Sequence, residues 1–341
     1  MATKKPRAAP ARSAQRIHLH FDNDSSLGEV FEVTPARIKA SLAKFPGLAK
    51  RLRITLEDDG RRLDENLRTA DVLFGWNFDR HNLAARAPRL RWIFAPGAGI
   101  NHFLPFDWLP AQTVFTNNSG VHGERAHEYG IMAILMLNNR IPEMVTHQRR
   151  GKWQQEFNSG IAGKTLLVIG VGSVGAGIAK WAKRFGMHVI GIRRTGAPRR
   201  YVDEMHKPAA LRKLLPRADF VVMATPATSN TKQMLGRSEI ALLKKGAGLL
   251  NYSRAALVDY DALRRRLERG EVSAILDVFD PEPLPAGSPL WKTPNLIITP
   301  HCSSDDTLSY TPKTLDMLFT QMERFIAGRK LANIVSRTLE Y

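Results

Sequence analysis

The chain has 341 residues, 43% hydrophobic and 24% charged, which is typical of a folded globular protein and long enough for two domains. Its one cysteine excludes an intramolecular disulfide and a cysteine-based zinc site, and favours a reducing, cytoplasmic location. The net charge is +18, but the basic residues are spread along the chain and form no nucleic-acid-binding motif, which argues against specific nucleic-acid binding. Attraction of small anions or a general arginine bias explains the charge equally well.

The first residues form a segment of their own. Residues 1–16 contain basic residues and no acid, and lack the apolar core of a secretion signal. We expect a disordered basic tail, with a mitochondrial-type presequence as the alternative. Further along, no apolar run approaches the ~20 residues of a membrane span, and the richest, Ile131–Leu137, is interpreted as a buried helix.

From residue 17 to about 95, strand patterns alternate with helical patterns. A helix is predicted over 34–50, capped by Thr34 with Pro35 at its first position, and a short helix begins at Asp64. This order indicates an α/β unit with its own parallel sheet. The predicted strands are Ile17–Phe21, Arg53–Leu56, Asp71–Phe74 and Leu90–Ala95.

The remaining elements belong to a second unit that begins near Gly163. A long amphipathic helix over Glu124–Asn139 precedes it, and a helix over Leu315–Phe325 follows it. Because the second sheet is complete before that last helix, we expect the helix to return to the first unit. The predicted strands after the first one of this unit are Val189–Ile192, Phe220–Met223, Gly248–Asn251, Ala274–Val278 and Leu296–Thr299.

Residues 165–177 contain a glycine pattern of the kind that binds dinucleotides. The apolar run Leu166–Ile169 ends in Gly170-x-Gly172-x-x-Gly175, and a helical pattern follows at once. In such turns the glycines permit the tight bend, the approach of a pyrophosphate and close helix packing, and the helix N-terminus offers N–H groups to phosphate. The strand–turn–helix context favours a nucleotide cofactor over a structural glycine-rich turn. The predicted contacts are Gly170, Gly172, Ser173, Val174 and Gly175.

The end of the next strand indicates which cofactor binds. An NAD-binding unit places Asp or Glu about 20 residues past the turn, where a carboxylate accepts bonds from the ribose 2′-hydroxyl. This chain has Arg193, Arg194 and Thr195 instead. Guanidinium groups match phosphate oxygens, so the sequence favours NADP(H) with NAD(H) as an alternative. An exposed basic turn without a ligand role is the other interpretation.

Three ionisable residues follow predicted strands of the second unit. Arg254 comes after the strand ending at Asn251, Glu282 comes after the next strand, and His301 follows the last one. In open α/β sheets, ligands bind beyond the carboxyl ends of the strands, where these side chains are expected to meet. Each residue alone is weak evidence for a catalytic site, but three of them beside a nucleotide turn indicate one.

On these residues the chain resembles the D-isomer-specific 2-hydroxyacid dehydrogenase family, which includes glyoxylate and hydroxypyruvate reductases. The resemblance runs from about residue 17 to the end. It implies two doubly wound parallel-sheet α/β domains with the substrate in the cleft between them. The flavodoxin-like substrate domain would comprise residues 17–120 and 302–341, and the Rossmann domain residues 121–301. The matching motifs are the Gly170–Gly175 fingerprint, Asp219–Thr231, Asn251–Arg254, Leu276–Leu284 and Thr299–His301.

The resemblance also implies residue roles. His301 would be the general acid/base, Glu282 its partner, and Arg254 the group that holds the substrate. Asp277 would bond the nicotinamide carboxamide. The backbone of Gly97, Ala98 and Gly99 would bind the substrate carboxylate. Further cofactor contacts would come from Thr225, Pro226, Thr231, Tyr252 and Ser253.

The resulting prediction is an NADPH-preferring enzyme that reduces a small anionic 2-oxo acid to the D-2-hydroxy acid. A homodimer is expected, since Trp153 lies in the segment that forms a dimer arm in the family; an ordinary packing role is the alternative. A formate or phosphite dehydrogenase on the same fold, or a dinucleotide-sensing binding protein like the family's corepressors, would carry similar motifs. No metal is expected, because no Cys or carboxylate pattern accompanies the remaining histidines, His102, His122 and His127.

The chain departs from the family pattern in two places. Ala255 stands where a glycine usually follows the arginine, and Cys302-Ser303-Ser304 replaces a more apolar or glycine-containing stretch. Cys302 next to His301 raises a thiol-nucleophile alternative. Neighbouring residues on an extended segment point to opposite sides, which argues against it. These changes are expected to reshape the substrate pocket without removing the chemistry.

Overall fold

The computed structural model describes residues 16–58 and 62–341. The predicted basic tail therefore lies outside the described residues except for Arg16. In the described part of the chain, no helix is long and apolar enough to cross a membrane.

The first sheet is parallel and has five strands among the described residues, in the order β2-β1-β3-β4-β5. This is the order of flavodoxin-like doubly wound sheets. Its central strands are buried on both faces, as parallel strands covered by helices must be. The strands are β1 (Ile17–Asn23), β2 (Leu52–Asp58), β3 (Val72–Gly75), β4 (Trp92–Phe94) and β5 (Val114–Thr116).

The second sheet, also parallel, contains seven strands within the described ranges, in the order β12-β11-β10-β9-β6-β7-β8. The strand order reverses beside β6, the strand that carries the glycine turn, and ligands of such sheets bind at this switch point. The strands are β6 (Thr165–Ile169), β7 (His188–Ile192), β8 (Glu204–His206), β9 (Phe220–Met223), β10 (Ala247–Asn251), β11 (Val272–Leu276) and β12 (Leu296–Ile298). The fold class predicted from the sequence is confirmed.

Helices connect the strands in both sheets. The α-helices are α1 (Pro35–Leu42), α2 (Pro46–Ala49), α3 (Leu63–Leu67), α4 (Leu83–Arg86), α5 (Gly123–Asn138), α6 (Ile141–Arg149), α7 (Ser173–Arg184), α8 (Leu211–Leu214), α9 (Arg237–Ile240), α10 (Tyr260–Glu268) and α11 (Tyr310–Ile326). Short 3-10 helices cover Ser25–Leu27, Asn101–Phe103, Phe106–Trp108, Pro208–Ala210, Leu215–Arg217, Ala255–Leu257 and Pro289–Lys292.

The helix predicted over 34–50 is wrong in its length. Its start is confirmed, because the Thr34 side chain accepts a hydrogen bond from the Arg37 N–H and Pro35 is the first helical residue. The helix ends at Leu42, and a separate four-residue helix begins at Pro46. The residue before a proline is disfavoured in the helical region, and Phe45 has φ −126° and ψ 63°.

The chain forms two compact units, and each of them consists of several separate segments of the sequence. Of the described residues, the first unit comprises 16–58, 62–97, 105–118 and 308–335, and the second comprises 98–104, 119–307 and 336–341. Helix α11 belongs to the first unit, as predicted. Residues 98–104, 119–120, 302–307 and 336–341, which the resemblance assigns to the substrate domain, belong to the second unit.

Candidate active site

Three neighbouring strands of the second sheet deliver the charged residues to one edge. Strands β10, β11 and β12 are adjacent and parallel, so their carboxyl ends lie together. Arg254, Glu282 and His301 each follow one of these ends. Sheet order thus brings together residues that are far apart in the sequence.

His301 and Glu282 form a direct pair. The Nδ1 of His301 lies 2.7 Å from Oε2 of Glu282, and the other carboxylate oxygen accepts from the Phe279 N–H at 2.7 Å. The two side chains are 38% and 36% exposed, so a small molecule can reach them. The arrangement orients the imidazole with its second nitrogen, Nε2, available for proton transfer.

The loop that carries His301 is held by Asp277. This carboxylate is fully buried, and it accepts from the Thr299 hydroxyl and from the N–H groups of Cys302 and Ser303, the latter two at 3.2 Å. The His301 N–H also donates to the Asp277 carbonyl at 2.8 Å. A polar group that is buried in this way is tolerated where such bonds compensate it. Sequence reasoning missed this positioning role of Asp277.

The Arg254 guanidinium is fixed on one side. Its Nε donates to Oδ1 of Asn101 at 2.9 Å, and Nη1 donates to the Ser253 carbonyl at 2.6 Å. A Cβ on Gly99 would overlap Nη2, so only glycine leaves room for this orientation. Burial lowers the pKa of Arg254, and the Glu282 carboxylate opposes that shift. Because the intrinsic pKa of arginine is so high, the group remains a cation near pH 7.

The backbone around Arg254 is braced by two side chains to which the sequence analysis gave no role. Asn251 is fully buried, and its amide donates to the Arg254 carbonyl at 3.0 Å and to the Tyr260 hydroxyl at 2.9 Å. The Tyr260 hydroxyl donates in turn to the Val278 carbonyl at 2.8 Å. An asparagine at the end of an apolar strand is the only sequence signal for this support.

The glycine turn after β6 has the geometry that a pyrophosphate needs. Gly170 has φ +100°, and a Cβ there would lie 2.6 Å from the Thr225 N. A Cβ on Gly175 would overlap the Gly170 carbonyl, so α7 starts close against the strand. At Gly172 a Cβ would meet nothing within 4 Å, and no side chain among the described residues caps α7. The turn therefore fits a nucleotide phosphate at an open helix N-terminus.

A histidine braces the same helix. The Nε2 of His127 lies 3.1 Å from the carbonyl oxygen of Ser173, so it acts there as a donor. A Cβ on Gly177 would overlap the His127 ring, which explains a glycine inside α7. The predicted structural or pocket-lining role of His127 therefore corresponds to a position on the first turn of the nucleotide helix.

The loops around the turn carry the other predicted cofactor contacts. The Ser253 hydroxyl donates to the Thr225 carbonyl, and the Thr231 hydroxyl donates to the Pro226 carbonyl at 2.7 Å. These residues are partly or fully exposed at the edge where the turn lies. Tyr252 differs, because its side chain is 8% exposed and its ring stacks on Tyr129 in the core. The predicted cofactor contact therefore does not come from an exposed Tyr252 side chain.

Arg193, Arg194 and Thr195 follow β7 directly. Arg193 is half-buried, whereas Arg194 and Thr195 are exposed. No carboxylate of the described residues forms an ion pair with either arginine. The loop after β7 therefore carries two cationic side chains beside the nucleotide turn, and that of Arg194 is exposed to the solvent.

Two further residues that the sequence analysis names have defined surroundings. Gly97 belongs to the first unit, where a Cβ would overlap the Trp76 ring. His102 packs on Phe103, with ring centroids 4.1 Å apart. Over residues 16–58 and 62–341, no group of three or more His, Cys, Asp or Glu side chains has the arrangement of a metal site.

The thiol next to His301 is poorly suited to act as a nucleophile. Partial desolvation and the Asp277 carboxylate raise the pKa of Cys302. A thiol with a raised pKa carries little thiolate at neutral pH.

Comparison with known proteins places the chain among related sequences of one family. The family model for the D-isomer specific 2-hydroxyacid dehydrogenase NAD binding domain matches residues 131–303. A glyoxylate reductase of Korarchaeum cryptofilum is 32% identical over 228 residues, which are 64% of this chain and 68% of that protein.

Two solved structures are similar over nearly the whole chain. A D-isomer specific 2-hydroxyacid dehydrogenase from Xanthobacter autotrophicus, in complex with NADPH and MES, is 28% identical with a TM-score of 0.81, covering 96% of this chain and 100% of that one. An NADPH-dependent glyoxylate/hydroxypyruvate reductase from Sinorhizobium meliloti, in complex with NADP and sulfate, is 25% identical with a TM-score of 0.79 and the same coverage.

Proposed function

The chain belongs to the D-isomer-specific 2-hydroxyacid dehydrogenase family of NAD(P)-dependent oxidoreductases, and from this premise we propose that it uses NADPH to reduce a small 2-oxo acid of the glyoxylate or hydroxypyruvate class. The product is the D-2-hydroxy acid. The observation that carries the proposal is the 2.7 Å pair of His301 and Glu282 at the sheet edge that also bears Arg254.

The proposed roles follow from the charges that the reaction creates. When bound, nicotinamide supplies the hydride, and reduction of a ketone leaves negative charge on the carbonyl oxygen. His301 donates a proton to that oxygen from Nε2, the ring nitrogen that is not bonded to Glu282. Glu282 accepts from Nδ1 and stabilises the imidazolium form.

Arg254 holds the substrate in this proposal. Its Nε and Nη1 are used by Asn101 and Ser253, and no residue of the described chain bonds its Nη2. That nitrogen lies beside Gly99, one of the glycines proposed to bind the substrate carboxylate through the backbone. A cation fixed in this way holds the acid and polarises its ketone in one orientation.

The preference for NADPH rests on the turn after β7. Arg193 and Arg194 offer guanidinium groups where an NAD-binding unit has a carboxylate, and Thr195 adds a hydroxyl. The proposal includes further cofactor contacts, which come from the glycine turn and from segments 225–231 and 252–253. Asp277 would bond the nicotinamide carboxamide. Solved relatives bound to NADPH or NADP support this preference.

The test measures initial rates of NADPH and NADH oxidation with glyoxylate and with hydroxypyruvate. We expect turnover with kcat/KM about 10- to 100-fold higher for NADPH, since bonds to a charged group contribute about 1.5–3 kcal/mol. His301→Ala and Arg254→Ala should each abolish reduction while NADPH binding persists. The matched control is His188→Ala, a histidine at the amino end of β7, opposite the proposed site.

Three results would contradict parts of the proposal. Near-normal turnover of His301→Ala or Arg254→Ala refutes their catalytic assignment. Equal use of NADH refutes the role of the arginine turn but keeps the reaction. Oxidation of formate or phosphite without reduction of oxo acids, or nucleotide-dependent partner binding with negligible turnover, would select one of the two alternative functions instead.

A homodimer is part of the proposal. The segment after α6 exposes Trp153 by 93% and Phe157 by 85%, and large aromatic side chains at that exposure are typical of surfaces that bind a partner. One chain has a mass of 38.2 kDa, and light scattering should give twice that value. A Trp153→Ser/Phe157→Ser variant should shift the mass toward one chain, and an unchanged dimer would exclude this segment as the interface.

A further inference from the structure

Residues 336–341 form a closed turn that belongs to the second unit. The Ser336 N–H donates to the Tyr341 carbonyl at 3.0 Å, and the Glu340 N–H donates to the Ser336 carbonyl at 2.8 Å. The Leu339 N–H donates to the Ser336 hydroxyl at 3.2 Å. These bonds give the segment a defined shape of its own, so its two last side chains are held in fixed directions.

Two contacts attach this turn to the nucleotide-binding loops. The Tyr341 hydroxyl accepts from Nε of Arg194 at 2.9 Å, and Oε2 of Glu340 accepts from the Ser229 N–H at 2.6 Å. Arg194 follows β7 and Ser229 lies in the loop after β9. These two strands flank β6 on either side in the sheet. The turn therefore bridges the loops on both sides of the strand that carries the glycine fingerprint.

The bond to Tyr341 uses only part of the Arg194 guanidinium. Arginine has five N–H donors in a planar fork, and the phenol oxygen occupies the one on Nε. Arg194 makes no other side-chain hydrogen bond or ion pair within the described ranges. The outer edge of the fork, with Nη1 and Nη2, remains available to an anion, and that edge is the one that binds phosphate oxygens bidentately.

Fixing such a side chain before a ligand arrives strengthens binding. Arg194 is exposed, and a long exposed arginine samples many rotamers that a ligand must otherwise restrict. A hydrogen bond that holds the guanidinium in one plane reduces the entropy lost on binding. Tyr341 is 39% exposed, so its ring is accessible at the same surface.

We propose that Tyr341 is a cofactor-specificity residue that positions Arg194 for the 2′-phosphate of NADPH. Its role is one of positioning, because it acts through the guanidinium. Glu340 anchors the turn to the loop after β9 and thereby keeps the phenol in place. The inference rests on the proposed NADPH preference, and it assigns part of that preference to a segment that is about 150 residues away in the sequence from the arginine turn.

The experiment measures binding of two nucleotides that differ only in the phosphate concerned. Isothermal titration of the full chain with adenosine 2′,5′-bisphosphate and with 5′-AMP reports the 2′-phosphate contribution without any turnover. Tyr341→Phe keeps the ring and removes the acceptor. We expect it to raise the Kd of the bisphosphate about 3- to 10-fold, as for loss of one ordinary hydrogen bond, and to leave that of AMP within about 2-fold.

Arg194→Ala separates this inference from the proposed function. We expect this variant to weaken bisphosphate binding about 10- to 100-fold, and Tyr341→Phe to add no further effect in the double variant. The readout is the Kd of 5′-AMP divided by the Kd of the bisphosphate. If Arg194→Ala lowers this ratio and Tyr341→Phe does not, the role of Tyr341 is refuted and that of Arg194 stands. If neither variant changes the ratio, both assignments fail.

A matched control tests for a general effect of losing a tyrosine hydroxyl. Tyr201→Phe removes one from the same unit, and no hydrogen bond of that hydroxyl occurs among the described residues. We expect both Kd values to stay at the wild-type level in this control. A loss of bisphosphate binding in Tyr201→Phe equal to that in Tyr341→Phe would overturn the specific role of Tyr341. Thermal unfolding midpoints of all variants establish that each is folded.

Discussion

A methyl group added at Gly172 distinguishes a turn that binds a nucleotide from a turn that is only structural. Gly172 has φ −88° and ψ −151°, an extended conformation with negative φ, so alanine there avoids the strain of a left-handed residue. A Cβ there would meet no atom of the described chain within 4 Å. The free energy of unfolding of Gly172→Ala should therefore stay within about 1 kcal/mol of the wild-type value.

The same methyl group should greatly weaken nucleotide binding. It would occupy the space through which a pyrophosphate reaches the N–H groups at the start of α7. Each hydrogen bond to a charged group contributes about 1.5–3 kcal/mol, so the loss of one raises the Kd about 10- to 100-fold. The structure therefore predicts a variant that folds normally and fails to bind NADPH.

Gly170→Ala is the matched control with the opposite expectation. This residue has φ +100°, and its Cβ would lie 2.6 Å from the Thr225 N and closer still to the Ala224 carbonyl. Backbone strain of about 1–3 kcal/mol and overpacking of similar size should add, so its unfolding free energy should fall by about 3 kcal/mol or more.

The assay combines thermal unfolding without nucleotide and fluorescence titration with NADPH. Gly172→Ala should match the wild-type midpoint and show the raised Kd, whereas Gly170→Ala should unfold several degrees lower. Wild-type NADPH affinity in Gly172→Ala would falsify the assignment of this turn to the pyrophosphate. Equal destabilisation of both variants would mean that the turn is structural throughout.

Three further predictions concern the active site and the first unit. Gly99→Ala should displace the Arg254 guanidinium and lower kcat/KM for the oxo acid about 100-fold with NADPH affinity within about 3-fold; unchanged kinetics would contradict the overlap. Glu282→Gln should lower kcat at least about 100-fold, because one side-chain oxygen is needed by a backbone N–H and the amide NH₂ then faces Nδ1 of His301, which disfavours the doubly protonated imidazolium that donates from Nε2; a loss below 10-fold would refute this. Burial lowers the pKa of His20 to about 4 in the folded chain, whereas the unfolded chain has a histidine pKa of about 6.5. As the pH falls from about 6.5 to 4, the unfolded chain therefore binds more protons, and the free energy of unfolding should fall by about 3 kcal/mol. In His20→Gln the thermal midpoint should fall less between pH 7 and pH 5 than in the wild type, and an equal fall would exclude this histidine as the cause.

Local patterns predicted the elements that bear the nucleotide turn. The run before Gly170 forms β6, and the glycine spacing marks the bend and the start of α7. Thr34 and Pro35 marked the start of α1. Each of these signals acts over a few residues through backbone conformation or a cap, so it is readable without tertiary structure.

Some short elements were missed for physical reasons. Strand β8 is a three-residue edge strand, and its residues Glu204–His206 are half-exposed and mostly polar. Strand β5 has only three residues as well, so alternation has no length in which to show. The predicted single helix over 34–50 was wrong because the apolar periodicity continues across the break that Pro46 imposes.

The candidate site divides in the same way. Arg254, Glu282 and His301 were readable from the sequence because each stands just past a strand pattern. Asn101, which orients the arginine, gives no such signal.

Residue patterns are enough to identify a two-sheet α/β protein of the 2-hydroxyacid dehydrogenase family, with a glycine turn and three ionisable residues at strand ends. Which side chains meet depends on the folded chain. Asn101 lies 153 positions from Arg254, and Tyr341 lies 147 positions from Arg194. Strand and turn patterns are local properties of the backbone, whereas such pairs depend on which loops the order of strands brings to the same edge of a sheet.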